Sequence, residues 1–292
     1  MAMAQANGIE IEYEAIGAED GDPLLLVMGL GAQLIHWPQG FCERLASGGM
    51  RVIRFDNRDI GLSTKFDDAG TPNLIEVITT VLQGGTPEVV YTIDDMAADA
   101  VGLLDALGIE RAHIAGASLG GQIVQTMAYR HPDRVKTLTS IMMGTGSPTA
   151  PQAQPEAMQL LLTPPPTERD ARIAHGIKLL AAITGKGHPT DEATARELTI
   201  RAIERSDYIR GGTRQVAASL AQGDREPHLA TITAPTLVLH GADDPLVPVG
   251  NAHMAHAAIP GSTLKIVEGW GHDVPPSLEE ELADILLAHV RA

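Results

Sequence analysis

His113-Ile114-Ala115-Gly116-Ala117-Ser118-Leu119-Gly120-Gly121-Gln122-Ile123-Val124 decides the reading of this chain. His113 to Ala115 form a short run of strand type, and Ile123, Val124 and Met127 lie at helical spacing beyond it. Between them Gly116-Ala117-Ser118-Leu119-Gly120 fits the pattern G-x-S-x-G. With 30 glycines in the chain, a chance match to so short a pattern is expected roughly one time in ten. The setting therefore carries more weight than the pentapeptide. A serine between strand and helix is the layout of a nucleophile elbow, a turn so tight that small neighbours must flank the hydroxyl. An ordinary Gly-Ser turn is the plainer alternative, and the rest of the sequence has to choose.

On either side of this segment, strand-like runs alternate with helical patterns. Ile9 to Tyr13 alternates apolar and polar residues, as a half-exposed edge strand does. Leu24 to Met28 is continuously apolar, the mark of a strand covered on both faces, and Val52 to Phe55, Leu138 to Met142, Thr236 to Leu239 and Leu264 to Val267 follow in the same style. The clearest helix runs from Ile93 to Leu107, with Thr92 as N-cap, Asp94 and Asp95 at the positive end of the dipole, and Gly108 as the stop. This alternation predicts an α/β fold with a mainly parallel central sheet and helices on both faces. Right-handed crossovers then gather the loops after the strands at one edge. From Gly144 to about Thr233 no strand appears, and helical patterns such as Ile173 to Ile183 and Ala193 to Ile203 follow a proline-punctuated stretch. The expected division is a core of residues 1–143 and 234–292 with a helical cap insertion at 144–233.

A serine hydroxyl needs an adjacent base. Of 11 histidines, His272 in Gly269-Trp270-Gly271-His272-Asp273 follows the last strand and precedes the final helix, Leu278 to Val290, on the same edge as Ser118. His131 lies at the far end of the helix after the elbow, His113 opens a strand, His253 and His256 sit on a helix, and His289 is near the C-terminus. His240 closes a strand on the correct edge and is the one serious rival. The base needs a carboxylate to fix its tautomer. In His240-Gly241-Ala242-Asp243-Asp244-Pro245 both aspartates could turn back; Asp243 suits the turn, so Asp244 is assigned as the acid. The order serine, acid, histidine is that of α/β-hydrolases. The oxyanion needs two N–H donors. These are assigned to Leu119, after the nucleophile, and to Leu30 in Gly29-Leu30-Gly31, with Gly29 as the alternative.

Composition narrows the partners. A net charge of −16 and a pI of about 5.0 argue against nucleic acid or an anionic membrane, which need a basic face. The single cysteine, Cys42, permits no internal disulfide and no cysteine zinc site, and it reads as a buried hydrophobe. Neither a signal-peptide pattern nor a membrane-length apolar run is present, so a cytoplasmic location is expected. The Gly-rich loop lacks both G-x-G-x-x-G and a P-loop lysine. Oligomeric state is not legible.

Several segments together resemble the α/β-hydrolase superfamily over nearly the whole length: Leu24-Leu25-Leu26-Val27-Met28-Gly29-Leu30-Gly31, Asp56-Asn57-Arg58-Asp59-Ile60-Gly61-Leu62-Ser63, the elbow, Gly241 to Pro248, and Gly269-Trp270-Gly271-His272. Met28-Gly29 before the oxyanion donor and the nearby Trp37-Pro38 are similar to the aclacinomycin methylesterase group. That resemblance implies Leu30 as donor and the aspartate before the proline, Asp244, as acid. It departs at Asp59, where such proteins often have glycine; this segment shapes the loop, so catalysis is not threatened. The expected activity is hydrolysis of a small-molecule carboxylic ester through an acyl-enzyme on Ser118, with no cofactor and no metal. Cofactor-free haloperoxidase or perhydrolase chemistry, carbon–carbon bond hydrolysis and a non-catalytic ligand receptor are the alternatives. In the cap, Met158, Leu160, Leu161 and Leu162 suggest an apolar pocket or plain packing.

Overall fold

Leu24 and Leu26 pack to one side of their strand and Leu25 and Val27 to the other, the period-two alternation of a strand buried on both faces. The same alternation recurs in the neighbouring strands, where Ile114 and Val238 join Leu25, and Ala115, Leu237 and Leu239 join Leu26. This arrangement comes from a computed structural model describing residues 1–292. In chain order the elements are β1 (Ala2–Ala6), β2 (Ile9–Ile16), β3 (Asp22–Val27), α1 (Gln39–Ser47), β4 (Met50–Phe55), α2 (Leu74–Leu82), α3 (Ile93–Ala106), β5 (Ala112–Ala117), α4 (Leu119–Arg130) and β6 (Val135–Ile141). They continue with α5 (Pro155–Leu162), α6 (Arg169–Ile183), α7 (Glu192–Arg205), α8 (Gly211–Gln222), α9 (Glu226–Leu229), β7 (Thr236–Gly241), α10 (Gly250–Ala258), β8 (Thr263–Val267) and α11 (Glu279–Val290).

The eight strands form one sheet in the order β1-β2-β4-β3-β5-β6-β7-β8. The β1–β2 and β2–β4 pairs are antiparallel, and every pair from β4 to β8 is parallel. Helices α3, α4 and α10 cover one face, with Met96, Leu104, Ile123, Met127 and Ala252 in the core. On the other face α1 and α11 meet around Phe41, Cys42, Leu45, Leu282 and Leu286. Burial pushes the Cys42 thiol up to about 12, so it remains a neutral, inert core group. Thr92 caps α3 through a reciprocal pair with Asp95, which makes Asp95 a partner in the cap as well as a charge on the dipole. The five helices α5–α9 occupy the interval between β6 and β7 and form the inserted cap. No helix is long and apolar enough to cross a membrane.

One expectation is corrected. Ile9–Ile16 is not the edge of the sheet, because β1 lies outside it. The two strands are joined by Asn7-Gly8, both at positive φ (49° and 79°), the signature of a tight hairpin turn. Ala2-Met3-Ala4-Gln5-Ala6 has no β-branched or aromatic residue, so its strand propensity is weak and only the turn betrays it.

From β3 the chain adds β4 on one side and then β5 to β8 in succession on the other. The direction reverses between β3 and β5, and loops after two such strands open a crevice at their carboxyl ends. The segments bearing Leu30 and Ser118 leave the sheet there.

Candidate active site

From Ala112 to Ala128, Ser118 is the one residue that is not buried. Its backbone sits at φ 55°, ψ −123°, a conformation that L-residues avoid and that costs on the order of 1–3 kcal/mol. The surroundings enforce it. Ser118 N–H donates to the Ile141 carbonyl (2.9 Å), and the Ser118 carbonyl accepts from Gln122 N–H (3.1 Å). A Cβ on Gly120 would lie 2.0 Å from the Val27 carbonyl oxygen, so only glycine lets α4 start against the end of β3. A Cβ on Gly29 would lie 3.7 Å from Ser118 Oγ, which places the loop after β3 directly beside the hydroxyl.

That loop is pinned around a small set of free donors. Asn57 Nδ2 donates to the Met28 carbonyl (2.8 Å), Gly31 N–H donates to Gln215 Oε1 (3.0 Å), and Ala32 N–H donates to the Gly29 carbonyl (3.3 Å). The N–H groups of Gly29 and Leu30 have no acceptor in the protein. Leu119 opens α4, and the first N–H groups of a helix have no acceptor within it.

Asp244 and His272 leave β7 and β8 on the same edge and meet. His272 Nδ1 stands 2.6 Å from Asp244 Oδ2, and both side chains are almost wholly buried. The other carboxylate oxygen, Oδ1, accepts from the N–H groups of Leu246 (2.9 Å) and Val247 (2.8 Å). Burial alone would raise the Asp244 pKa, but the His272 and His240 rings outweigh it and hold the carboxyl well below its ordinary range. An ionised carboxylate only accepts, so Nδ1 of His272 carries a proton, and in the neutral imidazole the lone pair falls on Nε2. Nε2 is buried with no protein partner, and Ser118 Oγ makes no hydrogen bond. No hydrogen bond joins Ser118 Oγ to His272 Nε2; bonds of this kind are often long before substrate binds and tighten in the enzyme–substrate complex.

The rivals fall elsewhere. Asp243 is exposed, and its side chain makes no hydrogen bond. His240 Nε2 donates to the Val247 carbonyl (2.7 Å) and lies 3.3 Å from Asp244 Oδ2, so this fully buried ring lies against the Asp244 carboxylate with its Nε2 proton committed to that carbonyl. A cleft of about 1150 Å³ runs between α5, α6 and the loop after β7, lined by Leu160, Lys178, Ala182 and Asp244 among others. Met158 and Leu162, expected at an apolar pocket, each expose 36% of their surface instead.

Two contacts escaped sequence reasoning. The turn after α6 packs on the loop that carries His272: His272 N–H donates to the Ile183 carbonyl (2.8 Å), and Gly187 N–H donates to that of Gly269 (3.0 Å). Asp273 Oδ2 accepts from Thr190 (2.6 Å) and Thr184 (3.1 Å) of the same turn, while burial raises its pKa against those hydrogen bonds. The second contact joins α8 to the loops after β3 and β4. Arg214 forms a two-point ion pair with Asp59 (2.7 and 2.9 Å), and its neighbour Gln215 reaches Gly31. Asp59 holds a positive φ of 70° where a glycine would be unstrained. Gly185, Gly187, Gly269 and Gly271 were the signal for the first contact; nothing in the sequence pointed to the second except the aspartate standing where glycine is common.

Comparison with known proteins fits this geometry. A sequence profile described as the alpha/beta hydrolase fold matches residues 22–276. The chain belongs to the α/β-hydrolase family. It is related to the rhodomycin and aclacinomycin methylesterases: it is 29% identical to "Rhodomycin D methylesterase DauP" of a Streptomyces species, over 99% of this chain and 98% of that one. It is also 32% identical to a "2-hydroxy-6-oxononadienedioate/2-hydroxy-6-oxononatrienedioate hydrolase" of Cupriavidus pinatubonensis, over 79% of this chain and 72% of that one. Among solved structures it resembles a meta-cleavage product hydrolase of Pseudomonas fluorescens with a TM-score of 0.75 at 20% identity, covering 100% of this chain and 97% of that chain, a likeness of fold. This α/β-hydrolase is thus related to both ester and carbon–carbon bond hydrolases.

Proposed function

We propose that this α/β-hydrolase is a serine carboxylesterase acting on a small-molecule ester, with Ser118, His272 and Asp244 as its triad. The carrying observation is that a strained elbow lifts Ser118 alone out of a buried segment while Asp244 holds His272 by Nδ1 and leaves its Nε2 without a partner. Ser118 Oγ attacks the ester carbonyl as His272 Nε2 takes its proton. The N–H groups of Leu30 and Leu119 hold the oxyanion, each worth about two to three orders of magnitude in rate. His272 then protonates the departing alcohol and next activates the water that frees the acid. None of these steps calls on a cofactor or a metal. The core of 1–143 and 234–292 supplies the triad, and the cap of 144–233 covers it.

Kinship with methylesterases favours an ester over a carbon–carbon bond. A hydrolase of 2-hydroxy-6-oxo dienoates among the relatives keeps carbon–carbon cleavage on the same serine as a second reading. Ser118→Ala should abolish hydrolysis of methyl and 4-nitrophenyl acyl esters with the circular dichroism spectrum unchanged. Full ester activity in that variant would refute the triad. Turnover of a vinylogous diketone at rates above every ester would select the second reading.

A further inference from the structure

The oxyanion loop is completed from the cap. Gln215 on α8 is fully buried, its Oε1 accepts from Gly31 N–H (3.0 Å), and its Nε2 donates to the Arg58 carbonyl (3.0 Å). The adjacent Arg214 is locked to Asp59 and donates to the Gly70 carbonyl (2.6 Å) and the Tyr208 hydroxyl. Where α8 begins, a Cβ on Gly211 would lie 2.0 Å from the Asp59 carbonyl oxygen, so the helix start is seated on that same segment. These contacts fix Gln215 in a buried site where a wandering amide would leave polar groups unpaired.

From this we infer that Gln215 is a positioning residue of the oxyanion hole, acting through Gly31 on the N–H of Leu30. The inference rests on Leu30 being an oxyanion donor, as proposed above. Gly31 is the exposed residue after Leu30 and sits at φ 68°. Its N–H belongs to the peptide plane that carries the Leu30 carbonyl. Fixing that plane fixes one side of Leu30, and the Asn57 bond to the Met28 carbonyl fixes the loop's other end. With both ends held, the Leu30 N–H is set before substrate arrives, which is what makes a donor effective in the transition state. Releasing Gly31 would let its N–H compete for the oxyanion or let the loop turn away. A misplacement of about 1 Å costs on the order of 10²-fold.

The test compares the whole enzyme with Gln215→Met, which keeps the volume and removes both hydrogen bonds. Gln222→Ala is the comparison at the far end of α8, where Gln222 bonds Thr126 and Tyr129 and not the oxyanion loop. Steady-state ester hydrolysis is read with the affinity of a trifluoromethyl ketone, whose serine adduct carries an oxyanion. Gln215→Met should lower kcat about 10- to 100-fold with KM within about threefold, and weaken the ketone by the same factor. Gln222→Ala should keep kcat within about threefold. An unchanged kcat in folded Gln215→Met, a loss confined to KM, or an equal loss in Gln222→Ala would overturn the inference. Should Gln215→Met fail to fold, Gln215→Glu decides: it keeps an acceptor for Gly31 but loses the donor to the Arg58 carbonyl, so kcat and ketone affinity should fall together with KM within about threefold, and a wild-type kcat or a loss confined to KM in the folded variant overturns the inference. A fluorophosphonate that labels wild type and not Ser118→Ala keeps the triad reading standing whichever way Gln215 falls; failure to label wild type removes both.

Discussion

Replacing Asp244 with asparagine should disable the site through a tautomer rather than through a lost charge alone. The amide has two orientations. With its carbonyl toward the turn, it accepts from Leu246 and Val247 N–H as Oδ1 now does, and its NH₂ faces His272 Nδ1. With its carbonyl toward His272, the NH₂ points at two backbone donors, forfeiting two hydrogen bonds of about 1 kcal/mol each and leaving buried N–H groups unpaired at about 1–3 kcal/mol each. The first orientation wins by several kcal/mol. His272 must then present a lone pair at Nδ1 and a proton at Nε2, so it cannot take the serine proton. The expected loss in kcat is about 10⁴-fold, or about 5 kcal/mol of transition-state stabilisation. Asp243→Asn changes an exposed side chain without a hydrogen-bond partner and should stay within about threefold of wild type. Ester hydrolysis near neutral pH measures the rates, and ¹⁵N shifts of labelled histidine read the tautomer directly. An Asp244→Asn enzyme that is folded and keeps more than a tenth of wild-type kcat, or a larger loss in Asp243→Asn, would refute the reasoning.

Other perturbations test the contacts around this centre. Arg214→Met strands the fully buried Asp59 carboxylate and should cost about 3–5 kcal/mol in urea unfolding, whereas the Asp59→Gly, Arg214→Met double variant should cost clearly less than the sum of the singles. Gly185→Ala places a Cβ 2.1 Å from the Gly269 carbonyl oxygen; it should destabilise by about 1–3 kcal/mol and lower kcat, because the same seam holds His272, and an unchanged melting temperature would contradict the packing. Asp244 has a depressed folded pKa, so its stabilising term is complete above its ordinary value of 3.8 and fades as pH falls below it. Urea midpoints of wild type and Asp244→Asn should therefore converge on acidification below about pH 4, and a constant gap down to pH 2 would contradict the shift.

The core of this fold was legible because each parallel strand is buried on both faces and therefore reads as an unbroken apolar run, as at Leu24–Val27 and Thr236–Leu239. Strand β1 was not, because alanines and a glutamine at a sheet edge pack against little that would demand β-branched residues. Ser118, Asp244 and His272 could be nominated because each follows a strand, and the sheet brings the last two within 2.6 Å. The order of elements says which loops share an edge; it does not say which side chains touch. His240 shows the difference. It lies on the correct edge, as the sequence suggested, but its proton is committed to the Val247 carbonyl, a pairing that depends on the path of a turn seven residues later.

Least legible was the grip of the cap on the core, since its side-chain partners lie far apart in the chain, from 83 to 184 residues. Gly31 and Gln215 lie 184 residues apart, and Asp59 and Arg214 lie 155 apart. A cap that supplied specificity alone could close its hydrogen bonds within its own helices. This one spends Gln215 on the loop beside Ser118, and the Ile183 carbonyl, Thr184 and Thr190 on the loop that carries His272. A rigid swing of the whole cap away from the sheet would break both sets and expose the buried Arg214–Asp59 pair. Any opening that preserves the catalytic geometry must therefore leave α8 and the turn after α6 seated. Helix α5, which borders the cleft beside Asp244 with exposed Met158 and Leu162, is tied down as well: the N–H of its N-cap Gln154 donates to the Pro245 carbonyl (2.7 Å), so the cap also grips the loop after β7.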